Sequence, residues 1–355
     1  MSGFMKHRIS FLRHGLPLLF LLLAWLPGWV AAEQITLEMR VRAGSEAVTF
    51  PLQHPAVQKG TVAAVSSGLS LQIHTSGTEG SSGLGLSSPH YLVVTGPAGH
   101  ALEGERLEID EAASRAAGNG RWVLESSPFN TAPAVDARWL GAECEVVPHW
   151  ILEDNLAEIV RRRLSSPQPM GVPSVWLPWG FGNLQKLTPR LTVSSPPRLA
   201  WTYDRNKIWP AERTILPPGQ AFVIKSAHPA GFGFSLGGDR RVSPCRVPLA
   251  AGANLMGYPL PEDLRLGTDW GRVTDGLVAS ASPTLCDRLQ IYSGENLPSY
   301  GFHESGRWIK ILAPNSSSAR WDFSSPPLEV IPVGYGFVLF KTKADPLHIF
   351  RPPQR

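Results

Sequence analysis

The chain has 355 residues, of which 34 are glycine and 33 are proline; only 17% are charged and 43% are apolar. An ordinary soluble domain is about one quarter charged and about 12% glycine plus proline. The length and apolar content support a sizeable core, which excludes a disordered, collagen-like or coiled-coil chain. Frequent turn formers with few charges indicate many short strands, and the length predicts about two domains.

Residues 1–32 have the pattern of a secretory signal peptide. Three basic residues and no acidic residue accompany an apolar run over residues 16–26, and small residues end the segment at 30–32. Prolines and a glycine interrupt the run, which falls short of the roughly 20 apolar residues that cross a bilayer. We expect cleavage and export to the periplasm, cell surface or extracellular space, with no transmembrane segment afterwards. An uncleaved anchor is the alternative.

The net charge of +4 depends on this segment. Without its three basic residues, 30 basic residues face 29 acidic ones, a net charge of +1. Binding to a nucleic-acid backbone needs clustered Lys and Arg, so we expect no nucleic-acid partner.

Residues 33–150 predict an N-terminal β domain, either a barrel or a sandwich. The segment from Ile35 to Arg42 alternates strictly between apolar and polar residues, which is typical of a half-buried strand. Further short strands are predicted at 47–50, 60–65, 69–73, 91–95, 106–109, 121–124 and 143–147.

Residues 151–172 predict one short helix and a linker. Leu152, Leu156, Ile159 and Val160 fall on one face of a helix over about 152–164. Acidic residues open this segment and three arginines close it, as the helix dipole favours. A Ser- and Pro-rich stretch at 165–169 follows and predicts the domain boundary.

Residues 173–355 contain a weak internal repeat. The segment from Leu216 to Ile224 aligns with the segment from Ile331 to Leu339, at an offset of 115 residues. Each copy places a Pro-Gly turn before an apolar strand. We therefore expect a C-terminal β domain of two related modules, at about 173–240 and 285–351.

Three motifs occur in the order Pro51–Val62, Ile215–Val223 and Asn254–Pro259. Together they resemble an uncharacterised family of exported, verrucomicrobial-type β-rich proteins with tandem I-L-P-P-G-Q-x-F-V modules. The resemblance spans nearly all of the chain beyond the signal segment. It implies export and a modular β fold; the family has no assigned activity, so it implies no chemistry.

The motifs of common enzymes are missing from the sequence. No G-x-S-x-G elbow, P-loop, dinucleotide-binding pattern or zinc spacing is present, and the histidines are scattered. We expect no catalytic, cofactor-binding or metal-binding residue and no cofactor, and the sequence leans against an enzyme. A secreted glycan hydrolase of unrecognised type stays open, because a sequence does not give the separation of two carboxylates.

The chain has three cysteines, Cys144, Cys245 and Cys286. An oxidising compartment permits disulfides, and an odd count leaves at least one cysteine unpaired. Cys245 and Cys286 are the better candidate disulfide pair. Three buried free thiols are the alternative.

Ten tryptophans follow the signal segment. Aromatic faces stack on sugars or fill cores, so Trp201, Trp209 and Trp308 are candidate ligand-binding residues as well as candidate core residues. The leading hypothesis is a non-enzymatic envelope or extracellular protein with a structural or interaction role. Its partners would be envelope or matrix components or glycans. A carbohydrate-binding module and the glycan hydrolase are the alternatives.

Overall fold

The structure is a computed structural model. It describes residues 33–66, 70–74, 88–118, 121–127, 129–132, 134–152, 173–178, 184–191, 193, 199–203, 207–210, 214–226, 231–241, 243–294, 297–343 and 345–351. The predicted signal peptide, the linker and the predicted helix beyond its first residue lie outside these ranges. Residues 32–355 cluster as one compact unit.

The protein is mainly β, which confirms the predicted fold class. One α-helix, α1 (Glu111–Ala117), is present among the described residues. Its first turn is capped by Asp110, whose carboxylate accepts a 2.8 Å hydrogen bond from the backbone of Ala113. The strands are β1 (Gln34–Val41), β2 (Gly44–Val48), β3 (Gln58–Ser66), β4 (Ser70–His74), β5 (His90–Gly96), β6 (Arg106–Glu108), β7 (Arg121–Val123), β8 (Glu143–Pro148), β9 (Trp150–Ile151), β10 (Ser174–Pro178), β11 (Leu184–Leu191), β12 (Leu199–Tyr203), β13 (Lys207–Trp209), β14 (Ile215–Leu216), β15 (Phe222–Ser226), β16 (Phe232–Asp239), β17 (Cys245–Leu249), β18 (Gly252–Gly257), β19 (Leu264–Arg265), β20 (Arg288–Ile291), β21 (Ser293–Gly294), β22 (Ser299–Phe302), β23 (Trp308–Leu312), β24 (Arg320–Trp321), β25 (Val330–Ile331), β26 (Gly336–Lys341) and β27 (Asp345–Phe350).

Strands β3 to β8 form a closed antiparallel barrel, in the order β6-β5-β8-β3-β4-β7. The two edges meet beyond β6 and β7, where Asp110 N donates to Val123 O at 2.9 Å and Glu125 N donates to Glu108 O at 3.0 Å. Because the barrel closes, both edge strands, β6 and β7, have hydrogen-bonded neighbours where they meet. Strand β5 is buried on both faces, because one face lines the barrel core and the other packs against the remaining strands. We call residues 58–148 the barrel and the remaining strands the body.

Two sheets of the body have corresponding strand orders. One runs β13-β12-β11-β10-β15-β2, with β21 added beside β2, and the other runs β24-β23-β22-β20-β26-β18. Outside them, β1 pairs with β16 as β17 pairs with β27, and β9 pairs with β14 as β19 pairs with β25. The two sheets thus correspond strand by strand, with β1 and β2 in the places that β17 and β18 take in the other arrangement. The predicted repeat of modules at about 173–240 and 285–351 stays a prediction.

The pairing places the first two strands beside the C-terminal half of the chain. β1 and β2 pair with β16 and β15, whereas the barrel occupies residues 58–148 between β2 and β9. The predicted domain limits of 33–150 and 173–355 stay predictions.

We call the part of the body that contains the β13-to-β2 sheet its first half, and the part that contains the β24-to-β18 sheet its second half. Each half contacts a turn of the other half in an equivalent way. Thr49 N donates to Gly334 O at 2.9 Å, and Gly257 N donates to Gly219 O at 3.1 Å. Both turn glycines have positive φ, 79° at Gly334 and 80° at Gly219. A Cβ atom at Gly219 would collide with Val247 in β17, and one at Gly334 would collide with Met39 in β1. Each Pro-Gly turn of the repeat therefore requires glycine for both its backbone conformation and its packing.

One pair of corresponding positions differs in charge. Arg42 N donates to Glu46 Oε2 at 2.6 Å, as Ala250 N donates to Asn254 Oδ1 at 2.9 Å. The Asn254 amide nitrogen also donates to the carbonyls of Ala250, Gly252 and Leu339. The carboxyl group of Glu46 can donate a hydrogen bond, as the Asn254 amide does, only when it is protonated. Glu46 is 1% exposed, and its burial raises its pKa, although the Arg42 backbone and charge act in the opposite direction.

We predict that Glu46→Gln stabilises the protein at neutral pH. The unfolded chain loses the Glu46 proton near pH 4.3. The folded protein prefers the protonated form of Glu46. The stability of the wild type therefore falls relative to that of the variant as the pH rises from the unfolded pKa to the raised folded pKa. Above the folded pKa the difference in stability stays constant. We expect a gain of about 1 kcal/mol at pH 7, measured by urea unfolding between pH 4 and 8. The matched control Glu38→Gln, at an exposed position in β1, should keep the wild-type pH profile. Parallel wild-type and Glu46→Gln curves would show that Glu46 is ionised in the fold.

Candidate functional site

A cleft of about 430 Å³ opens where the barrel meets the first half of the body. Its base is formed by side chains of β10, β14 and β15 and of the turn before β15. These are Leu177, Leu216, Ala221 and Phe222, all buried. Leu177, Leu216 and Phe222 also belong to the main hydrophobic core of this half, so the base of the cleft is a rigid apolar surface.

Two aromatic side chains form one wall of the cleft. Tyr203 ends β12 and Trp209 ends β13, and the antiparallel pairing of these strands brings the two rings together. Their centroids lie 5.1 Å apart in an edge-to-face arrangement. Trp209 Nε1 donates to Thr214 Oγ1 at 2.5 Å, and Thr214 Oγ1 donates to Pro210 O at 2.9 Å. The indole is thus held in one orientation while part of its surface stays exposed.

The described part of the cleft lining carries no charge. None of the lining residues that the structure describes is Asp, Glu, Lys, Arg or His. The Thr214 hydroxyl is already hydrogen-bonded to Trp209 and Pro210. Gln220 also lines the cleft, and its side-chain amide makes no hydrogen bond with the part of the chain that the structure describes. Gln220 therefore offers both a donor and an acceptor to a bound molecule.

A buried arginine ties the barrel to the cleft. Arg106 Nη1 donates to Pro218 O at 3.2 Å, in the turn that precedes Gln220. Its Nη2 donates to Phe129 O at 3.0 Å, and Phe129, from the segment between β7 and β8, also lines the cleft. One guanidinium thus contacts two segments that border the cleft. No signal in the sequence singled out Arg106, Phe129 or Gln220.

Beneath the cleft, Arg106 belongs to a buried polar cluster. The ring nitrogen His149 Nε2 lies 2.5 Å from Glu108 Oε2, and Arg106 Nε lies 3.8 Å from Glu108 Oε1. The Tyr91 ring packs against His149 at 4.6 Å between centroids, and burial raises the pKa of the Tyr91 phenol. Such a cluster fixes the barrel against the body.

The structure separates the three candidate tryptophans. Trp201 is 1% exposed and Trp308 is 2% exposed, so almost the whole of each side chain is covered by protein. Trp308 packs between Phe302 and Trp270, and Trp201 lies in the core beneath β13. Of the three, Trp209 lines the cleft.

The candidate disulfide between Cys245 and Cys286 is not formed. Cys144, Cys245 and Cys286 are all buried free thiols. Cys245 packs in the core of the second half, and Cys286 lies against Gly301 of β22. Burial raises the pKa of Cys144 to about 12 and that of Cys286 to about 11, which makes both thiols unreactive near neutral pH.

A second, more open cleft of about 330 Å³ lies in the second half of the body. Arg265, Arg307 and Glu329 are at its exposed rim, and the Trp308 ring borders it. Glu329 is the single carboxylate among its lining residues, so it holds no pair for general acid and base catalysis. Over the described ranges no group of three metal-binding side chains occurs, and no helix has the length and hydropathy of a membrane span.

Comparison of the chain with protein-family models, with curated proteins and with solved structures finds no match. The resemblance to an exported, verrucomicrobial-type family therefore stays a prediction that rests on the three motifs.

We predict that the three tryptophans differ sharply in their contribution to stability. Trp201→Ala and Trp308→Ala each remove a fully buried indole and should cost roughly 3–5 kcal/mol of unfolding free energy. Trp209→Ala removes a half-exposed ring and should cost roughly 1–2 kcal/mol. Urea unfolding measures all three, with Ile208→Ala as the control, since Ile208 neighbours Trp209 and is 65% exposed. Equal losses at the three tryptophans would contradict the assignment of Trp209 to a cleft.

Proposed function

We propose that this chain is an exported, non-enzymatic binding protein whose ligand occupies the aromatic cleft. The observation that carries the proposal is the pair Tyr203 and Trp209, held in place in an apolar cleft that Phe129 of the barrel also lines. Clefts of this size and apolar character, with few polar groups, are typical of small-molecule sites. The predicted export is consistent with a role in the envelope or outside the cell.

The lining determines the chemistry of the ligand. Among the described lining residues an ionic group would find no opposite charge to offset its lost hydration. The ligand we propose is uncharged, with an apolar or aromatic body against Tyr203 and Trp209. One polar group on it would pair with the Gln220 amide. Burying such a body contributes about 25 cal/mol for each Å² removed from water.

Carbohydrate binding is the second candidate. The part-exposed indole of Trp209 favours it, because sugars stack on such faces. The scarcity of polar groups counts against it, since each sugar hydroxyl that is buried without a partner costs about 1–3 kcal/mol. Hydrolysis of a glycan has no support from the described lining of this cleft, in which no residue is Asp or Glu.

The proposal predicts saturable binding of a neutral apolar probe. We expect N-phenyl-1-naphthylamine, an uncharged fluorescent molecule, to bind the mature protein with a Kd that Trp209→Ala and Tyr203→Ala each raise about tenfold or more. Fluorescence titration measures this. Ile208→Ala should leave the Kd unchanged, because Ile208 lies beside Trp209 in β13 but does not line the cleft.

Two outcomes decide against the proposal. Absence of saturable binding, or binding that Trp209→Ala leaves unchanged, removes the cleft as the site. If soluble neutral polysaccharides alter the tryptophan fluorescence of the wild type but not of Trp209→Ala, and the apolar probe does not bind, the cleft is a carbohydrate site instead.

A further inference from the structure

The seam between the barrel and the body contains a buried arginine that no carboxylate neutralises. Arg241 follows β16 and is 2% exposed. Its Nη2 donates to Tyr91 Oη at 3.1 Å, and its Nε has no hydrogen-bond partner. Within the described ranges no carboxylate oxygen lies within the 4.0 Å of an ion pair from this guanidinium. Its one partner is therefore a neutral hydroxyl.

Burial disfavours the charge on Arg241, but its neighbours, Glu145 among them, outweigh this effect and raise its pKa. Arg106 faces the same tyrosine from the other side, with its guanidinium carbon 5.9 Å from the Tyr91 ring centre. Arg106 is also buried, and Glu108 is the one carboxylate near it, already in contact with His149. Glu145, on the barrel strand that faces the body, is paired with Lys59 at 2.7 Å. Glu108 beside Arg106 and Glu145 near Arg241 are thus each in direct contact with another partner.

A buried guanidinium that lacks a direct ion-pair partner loses its hydration at each N–H group that finds no acceptor. Tyr91 cannot supply the missing charge, since burial raises the pKa of its phenol and keeps it protonated. Its hydroxyl accepts from Arg241, and the hydroxyl proton has no acceptor among the described residues. Arg241 Nε and the Tyr91 hydroxyl therefore both remain as donors at one place.

We propose that a small monovalent anion of the size of chloride binds at this seam, held by the Arg241 guanidinium and the Tyr91 hydroxyl. The ion must be small, because neither of the two described clefts reaches this place. Tyr91, Val93 and Val147 form a closely packed, buried cluster, and Arg241 borders neither of the two clefts. Charge-assisted hydrogen bonds from a buried guanidinium are among the strongest available to an anion.

Binding at this place stabilises the docked barrel. The anion binds Arg241 of the body and Tyr91 of the barrel together, and it loses one of them if the barrel separates. A ligand that binds the folded protein alone raises its stability by RT ln(1 + [L]/Kd). The proposal is independent of what the aromatic cleft binds.

Thermal unfolding in sodium chloride and in sodium gluconate at equal ionic strength tests it. We expect the wild-type Tm to be higher in chloride, with a difference that grows with concentration from 10 to 300 mM. Arg241→Met should lose this chloride-specific difference. The matched control is Arg240→Met, since Arg240 is the adjacent residue, with its side chain near Glu33 and Glu262 at the surface. It should keep the difference, which separates the site from general effects of the two salts.

Equal wild-type Tm values in the two salts overturn the proposal, and so does a chloride effect that survives in Arg241→Met. If Arg241→Met does not fold, a wild-type crystal grown in sodium bromide replaces it. An anomalous bromide peak within hydrogen-bond distance of Arg241 and Tyr91 supports the site, and the absence of one there rejects it.

Discussion

The reciprocal contact between the two Pro-Gly turns is the constraint on which the body depends. The carbonyls of Gly219 and Gly334 each accept a hydrogen bond from the strand end of the opposite half. Neither turn tolerates a side chain, because Val247 and Met39 occupy the space that a Cβ atom would need. The two halves therefore hold each other in register, as subunits do across an isologous interface. A conformational change at one turn would be transmitted to the packing of the other half.

The cleft is built on the first of these turns. Pro218 accepts from Arg106, and Gln220, two residues later, lines the cleft. Because Arg106 also holds Phe129, the barrel contributes to the cleft only while it stays docked on the body. The stability of the fold and ligand binding should therefore be coupled through the interface between the barrel and the body. At that interface buried polar groups accompany the apolar contacts. The proposed anion site lies in that same seam.

Local patterns predicted the strands but not their partners. The strict alternation from Ile35 to Arg42 matches β1, whose partner β16 lies about 200 residues further along the chain. The Pro-Gly turns were visible in the repeat, whereas their exchange between the halves is a tertiary contact that periodicity does not encode. Glu46 precedes the strand predicted at 47–50, and nothing in the local pattern indicated that it is buried. Aligning residues 44–52 with 252–260 would have placed Glu46 opposite Asn254. The alignment would have shown a carboxyl group in the first segment where the second has an amide. For Trp201 and Trp209 the sequence offered no way to tell core from cleft, since both lie in short aromatic strands of one hairpin.

The central claim is that the cleft beside Trp209 is a ligand site. The most direct measurement is a crystal structure of the mature protein soaked with N-phenyl-1-naphthylamine. The account predicts electron density for the probe against the Tyr203 and Trp209 rings, with its amine near the Gln220 amide. Density for the probe elsewhere, with the cleft closed by movement of Phe129 onto Trp209, would contradict it.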